Sequence, residues 1–394
     1  MMFDKKTVEK KKPKIRPELS SAKKTLRLSI MFVVPVLGLM LVRAISSLLP
    51  LSDNVSSWVF SFVIQVVFMG IVPFLMYRFL ISSNAKEFLI DFRVNHKIPP
   101  VAYVMAIAIG LSVSVLNTGN SVIWAMILES VGYQYPNGVG TLYRTPEILV
   151  MEIITTCLFP AIFEELTDRG LLLAVFNKES DKFKILFVGL CFGILHQNIP
   201  QLVPAAIGGI IITYLAVKSG SIIPGMIVHF IINFTIVIGE YAEQTGGWLA
   251  NLISSFESAI YSNIITLLLV FVASIFLTQY LLKQFKIINL KSRENIDGPG
   301  AGGKTIALPG VKPSLVKDIL EIYGPEAVSE EDKRAFAMEL VSAMETVKKQ
   351  TVKEKTEKGI KVVKKIALEY IPTYIALIAA SIFTIFTFIF RYKP

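Results

Sequence analysis

Two adjacent glutamates, two histidines and an asparagine are the residues whose types and spacing could carry out hydrolysis in this sequence. They stand in or at the edge of apolar stretches and form three short patterns with four-residue offsets: Glu164-Glu165 with Arg169, Phe192 with His196, and His229 with Asn233. Because residues i and i+4 share one face of a helix, each pattern presents a pair of side chains in the same direction. A carboxylate, two imidazoles and a carboxamide around one cavity can activate water and stabilise an oxyanion.

Burial of these groups in a membrane also requires that they meet. An ionisable side chain in mid-membrane costs roughly 2.5–3.5 kcal/mol on insertion scales. We expect Glu165 and Arg169 to form an ion pair on one helix face. Glu164 points about 100° away around the helix, so this ion pair does not use it and it is available for another role. The alternative is a polar cluster that only holds helices together.

The same residues could bind a metal ion. Glu164, His196 and His229 are of the types that supply three protein ligands to a catalytic zinc, with a fourth position for water. A glutamate-dependent mechanism without a metal needs the same three side chains. The residue types leave both chemistries open.

Composition identifies the elements that must position these groups. Hydrophobic residues make up 53% of the 394 residues and charged residues only 18%, and mean hydropathy is +0.59. These values exclude an ordinary soluble domain, a disordered chain and a collagen-like protein. We predict an all-α polytopic membrane protein with about eight transmembrane helices and a C-terminal helical extension. The predicted spans are 29–51, 57–81, 99–129, 147–163, 185–199, 201–217, 221–239 and 259–282.

The charge distribution predicts the orientation of these spans. Residues 1–28 hold ten basic and three acidic side chains, a net charge of +7, immediately before the first span. By the positive-inside rule, this basic tail (1–28) stays in the cytoplasm, and we expect no nucleic-acid partner. Alternate loops repeat the same bias, so both ends of the eight-span domain (29–282) should be cytoplasmic. The Lys-rich character favours the plasma membrane of a prokaryote.

The C-terminal third has a different composition. We predict a Gly/Pro-rich linker at 283–313, a cytoplasmic helical extension at 314–369, and an apolar helix at 370–390 that is either a ninth span or docked on the membrane. Residues 298–305 match the phosphate-binding pattern GxxxxGK[ST], but no strand precedes them and prolines follow too soon for a helix. We therefore expect a flexible linker and no bound nucleotide.

The three patterns, in this order and inside apolar spans, resemble the CAAX protease and bacteriocin-processing (CPBP, or Abi) family of intramembrane proteases. The segment Ser219-Gly220-Ser221-Ile222-Ile223-Pro224 before the second histidine adds to the likeness, which is specific over 145–240 and absent from 283–394. One departure is Asp168, which stands where the family commonly has an aromatic residue. This carboxylate could compete with Glu165 for Arg169 or lie at the cytoplasmic surface.

The resemblance implies a role for each residue. Glu164 would act as general base, and His196 would orient the attacking water or bind a divalent metal such as zinc. His229 and Asn233 would stabilise the oxyanion. Three further residues would hold these groups in position without contacting the substrate: Glu165, Arg169 and Phe192.

The function implied is that of an intramembrane endopeptidase, a candidate metalloendopeptidase. Its partners would be membrane lipid and a peptide or protein substrate of CAAX type or with a bacteriocin leader. Two other functions stay open: an ion- or proton-coupled transporter, although no inverted repeat is evident, and a non-catalytic scaffold or immunity protein. Nothing in the sequence indicates the oligomeric state.

Overall fold

A computed structural model describes residues 21–48, 54–133, 141–143, 145–261, 263–297, 368–386 and 389. Three of the predicted segments fall wholly or mainly outside this set. They are most of the basic tail, the Gly/Pro-rich part of the linker, and the helical extension up to residue 367.

The described residues fold as helices and contain no β-strand, which confirms the predicted all-α class. Several of these helices continue through short π-helical segments. In chain order the helices are α1 Ser21–Leu48, α2 Asn54–Leu80, α3 Ala85–Asp91, α4 Pro100–Ser130, α5 Pro146–Val175, α6 Asp181–Leu195, α7 Ile199–Ser219, α8 Ile223–Thr245, α9 Gly247–Tyr261, α10 Ile264–Asp297 and α11 Leu368–Phe386.

Eight helices of the described part are long and apolar enough to cross a membrane: α1, α2, α4, α5, α7, α8, α10 and α11. The predicted number is confirmed, but the assignment differs at one place. The predicted span at 185–199 is α6, whose 15 residues make a helix about 22 Å long, shorter than a ~30 Å hydrocarbon core. The C-terminal α11, predicted as a ninth span or a docked helix, is the eighth helix of spanning length.

Glycines allow α6 and α7 to pack backbone to backbone. A Cβ added to Gly189 would lie 2.6 Å from the backbone nitrogen of Ile210, and one added to Gly209 would lie 2.7 Å from the carbonyl oxygen of Gly189. Such contacts exclude any side chain, so the two helices form a tight antiparallel hairpin. Phe192 lies on α6, and His196 follows α6 in the turn between the two helices.

Charged side chains tie the loops together at one end of the bundle, here called the basic end. Lys24 pairs with Asp91, and Lys218 Nζ donates to Asp181 Oδ2 at 2.8 Å, a hydrogen bond that lowers the pKa of Asp181. Arg93 bridges to Asn177 at 3.3 Å. The hairpin of α6 and α7 therefore begins and ends at the basic end, with α6 running away from it and α7 returning to it.

Wider helical turns interrupt the two spans that face the site. In α2, residues Val63–Ile71 are π-helical, and in α5 so are Ile153–Leu158 and Leu166–Leu172. Such turns occur frequently at functional sites because they redirect side chains and loosen the backbone hydrogen-bond pattern. Here they carry Gln65 and Arg169.

The α6–α7 packing predicts the effect of a single added methyl group. Gly189→Ala must separate the two helices, and we expect it to lower the free energy of unfolding by about 1–3 kcal/mol. Gly239→Ala is the matched control, because nothing lies within 4 Å of its added Cβ. Thermal unfolding of the detergent-solubilised variants measures the difference. Equal stability of the two variants would contradict this close packing.

Candidate active site

A buried guanidinium connects the helices of the site. Arg169 on α5 donates from Nη1 to Glu165 Oε1 at 2.9 Å, from Nη2 to the carbonyl of Gly209 at 2.9 Å, and from Nε to Thr213 Oγ1 at 3.2 Å. Its Cζ lies 4.5 Å from the centre of the Phe192 ring. The side chains of Arg169 and Glu165 are both inaccessible to solvent. The expected ion pair therefore forms and fixes α5 against α6 and α7.

Glu165 extends this network to α8. Its Oε1 also accepts a hydrogen bond from His229 Nδ1 at 2.9 Å. Because an ionised carboxylate only accepts, Nδ1 carries the proton, and Nε2 of His229, which is not part of the cavity lining, faces Glu164. Gly225 lets α8 approach, since a Cβ there would lie 3.2 Å from Glu165 Oε2.

Glu164 is held between α2 and α8. Its Oε1 accepts a hydrogen bond from Gln65 Nε2 at 2.6 Å, and its Oε2 lies 3.9 Å from His229 Nε2. A water molecule at about 2.8 Å from both atoms would bridge them from one side of the line that joins them. This is the geometry that a general base needs to take a proton from water.

His196 is fixed by the end of its own helix. Its Nδ1 lies 2.8 Å from the carbonyl oxygen of Phe192 and must donate, because a carbonyl only accepts. The Phe192 ring contacts both imidazoles edge to face, with centroid distances of 4.7 Å to His196 and 5.6 Å to His229. Phe192 therefore sets the spacing of the two histidines and supports Arg169 from its face.

A cavity of about 710 Å³ opens on this cluster. Its polar lining includes Gln65, Glu164, Asp168, His196 and Arg43, and it extends to Asn54 and Thr141 at the end of the bundle opposite the basic end. Towards the basic end, Phe92 packs against Gly170 and stacks with Phe88 in the core. The cavity extends from Glu164 away from the basic end.

Asn233 has a different local role from the one expected. Its Nδ2 donates to the backbone carbonyl of Thr156 at 2.9 Å, and its side chain is not part of the cavity lining. Its contribution to an oxyanion site stays a prediction. In this arrangement Asn233 ties α8 to the π-helical turn of α5.

Asp168 is not at the surface. Its residue exposure is 2%, Oδ1 has no hydrogen-bond partner in the protein, and it lines the cavity beside Glu164. It does not take Arg169 from Glu165, whose ion pair with that guanidinium is intact. The sequence analysis did not predict Gln65 and Arg43 as cavity residues. Each is a polar side chain within an apolar span, and such residues commonly face a cavity or a partner, so this feature could have identified them.

The donor set does not form a ready metal site. Across the part of the chain that the structure describes, no three His, Cys, Asp or Glu side chains are grouped so that they could hold a metal ion. Gln65 engages Glu164 Oε1, and the two histidines each hydrogen-bond a neighbour through Nδ1. Their Nε2 atoms and Glu164 Oε2 are not used by these bonds, and metal-binding imidazoles commonly have the other ring nitrogen held in this way. Zinc binding by Glu164, His196 and His229 stays a prediction.

Comparison with known proteins agrees with the motifs. Residues 146–235, less than a quarter of the chain, match the family model described as type II CAAX prenyl endopeptidase Rce1-like. The predicted resemblance is confirmed over this region, which runs from α5 into α8. No curated protein and no solved structure matches the chain.

Removal of the buried guanidinium tests its structural role. Arg169→Gln leaves Glu165 as an uncompensated buried charge, and breaking such a pair costs about 3–5 kcal/mol. We expect little folded protein after detergent extraction, measured by size-exclusion chromatography and thermal unfolding. Arg78→Gln is the control, because it removes the same charge from an exposed position on α2. Wild-type stability of Arg169→Gln would contradict this assignment.

Proposed function

Since residues 146–235 match Rce1-like endopeptidases, we propose that this membrane protein is an intramembrane endopeptidase that cleaves membrane-associated peptides or proteins. The observation that carries the proposal is the setting of Glu164. One carboxylate oxygen is held by Gln65 at 2.6 Å, the other lies 3.9 Å from His229 Nε2, and Glu164 and His196 both line the cavity. A polar cluster that served only to hold helices together would not need a carboxylate and an imidazole in the lining of a cavity.

The reaction follows from these positions. A water molecule binds to Glu164 Oε2 and His229 Nε2. It gives a proton to the Glu164 carboxylate while the oxygen of the water attacks the carbonyl carbon of the substrate. The tetrahedral intermediate then collapses, the C–N bond breaks, and the proton on Glu164 passes to the leaving amine. One water is consumed, and the products are a new carboxyl terminus and a new amino terminus.

The histidines assist in different ways. His229 is oriented by Glu165, which in turn is held by Arg169, so its Nε2 stays directed at the water. His196 has Nε2 available towards the cavity, where it can hydrogen-bond the substrate or the leaving amine. Asn233 is proposed to steady the oxyanion only if its bond to Thr156 is exchanged on substrate binding.

Loss of the general base should abolish cleavage without loss of folding. We expect Glu164→Gln to lower the cleavage rate by about 10²–10⁴-fold, because the amide cannot accept the proton of water. Glu147→Gln, at the exposed start of α5, is the matched control and should cleave normally. Mass spectrometry of terminal peptides from membranes carrying each form would identify the cut sites. Normal cleavage by Glu164→Gln, with thermal unfolding unchanged, would overturn the assignment.

We also propose that the basic end, and with it the N-terminus, lies in the cytoplasm of a prokaryotic cell. The support is the concentration of Lys and Arg at that end, which the positive-inside rule places in the cytoplasm. The cavity then extends from Glu164 towards the opposite side of the membrane. This orientation favours exported or membrane-embedded peptides, such as leader-bearing bacteriocins, over prenylated CAAX proteins on the cytoplasmic face.

Thiol labelling of intact cells tests this orientation. The native Cys157 and Cys191 are buried, so a membrane-impermeant maleimide should give little background. We expect it to label Ser57→Cys, in the cavity lining, and to label Lys86→Cys, near the basic end, only after permeabilisation. The reverse pattern would place the cavity mouth in the cytoplasm and favour a CAAX-type substrate.

A further inference from the structure

A second arginine lines the active-site cavity and makes few polar contacts with the protein. Arg43 lies in the apolar span α1 and is part of the cavity lining. Its Nη1 donates to the carbonyl of Gln197 at 3.3 Å, and among the described residues it forms no ion pair within 4.0 Å, although Glu164 in the same cavity is close enough for its charge to act on the guanidinium. Arg169, by contrast, is inaccessible to solvent and makes three hydrogen bonds.

A charged side chain within a membrane span needs polar surroundings. Arg43 lies three residues before the end of the span Ser21–Ser46, where an arginine side chain can reach polar surroundings, and here those surroundings are the cavity. The guanidinium has five N–H donors in a rigid fork that fits a carboxylate with two parallel hydrogen bonds. With one long bond to a carbonyl, Arg43 keeps most of these donors available to a ligand in the cavity.

The backbone fixes this arginine beside the catalytic groups. Gln197 directly follows His196 and has a φ of +48°, in the left-handed region that costs free energy for a residue other than glycine. The carbonyl of this strained residue accepts the bond from Arg43. The guanidinium is therefore anchored next to His196, in the same cavity as Glu164.

We propose that Arg43 binds a carboxylate of the peptide substrate and so directs cleavage to a bond close to that carboxylate. This proposal rests on the proposed function, under which the ligand of this cavity is a peptide. Peptides carry carboxylates at the C-terminus and on Asp and Glu side chains, and both have the same bidentate chemistry. The uncharged polar lining nearby, Ser46, Ser57 and Asn54, adds hydrogen-bond donors but no competing positive charge.

Three peptide pools distinguish a C-terminal carboxylate from the side-chain carboxylate of an acidic residue. Each contains mixed-sequence decapeptides incubated with the full-length protein in detergent micelles. The first pool lacks Asp and Glu and has a free C-terminus, the second lacks Asp and Glu and is amidated, and the third is amidated but contains Glu. We expect the wild type to cleave the first or the third pool about 10- to 100-fold faster, by kcat/KM, than the second.

Substitutions then assign this selectivity to Arg43. Arg43→Gln should reduce the ratio to about one, and Arg43→Lys, which keeps the charge but loses the fork, should retain part of it. Arg78→Gln is the control for net charge and should keep the wild-type ratio. Thermal unfolding checks that each variant is folded, and a misfolded Arg43→Gln leaves the lysine variant as the test.

The outcomes separate the two proposals. A preference for the first pool identifies the C-terminal carboxylate, and a preference for the third identifies an acidic side chain. Glu164-dependent cleavage of all three pools at equal rates, or an undiminished ratio in Arg43→Gln, overturns the role of Arg43 and leaves the proposed function standing. The absence of Glu164-dependent cleavage of any pool overturns the proposed function and this inference with it.

Discussion

The site depends on one buried ion pair. Arg169 and Glu165 are both removed from water, so the guanidinium must satisfy its donors inside the protein, and it does so on α5 and α7 while its face covers Phe192 of α6. Glu165 is then free to hold His229 on α8. Four helices are therefore positioned by the hydrogen-bonding requirements of one cation, and a shift of any of them would leave a charged group unpaired at a cost of several kcal/mol.

This network also separates the roles of two neighbouring carboxylates. Glu165 has its Oε1 shared between Arg169 and His229, so it is committed to structure. Glu164 faces the cavity with one oxygen held by a neutral amide, Gln65, and this bond orients the carboxylate without neutralising it.

The sequence predicts those features that depend on spacing within one helix. The four-residue offsets correctly placed Glu165 beside Arg169 and His196 beside Phe192, because the i,i+4 relation is local. Features that depend on pairing between helices were missed, such as the contact of Gln65 with Glu164. The short α6 was predicted as a full span because hydropathy does not distinguish a buried helix from a spanning one.

Asn233 illustrates why a shared helix face does not establish a shared role. It lies one turn after His229, as the pattern requires, yet its amide bonds to Thr156 within the π-helical segment Ile153–Leu158. A wider turn loosens the regular hydrogen-bond pattern, so its carbonyls can accept from a neighbouring helix. The irregular backbone of α5 thus recruits Asn233 to hold α8 in place. The same irregularity recurs at Leu166–Leu172, where Asp168 lies in the cavity lining and its buried Oδ1 has no hydrogen-bond partner among the described residues. A buried oxygen without a partner costs free energy, so the packing of the surrounding helices must offset this cost.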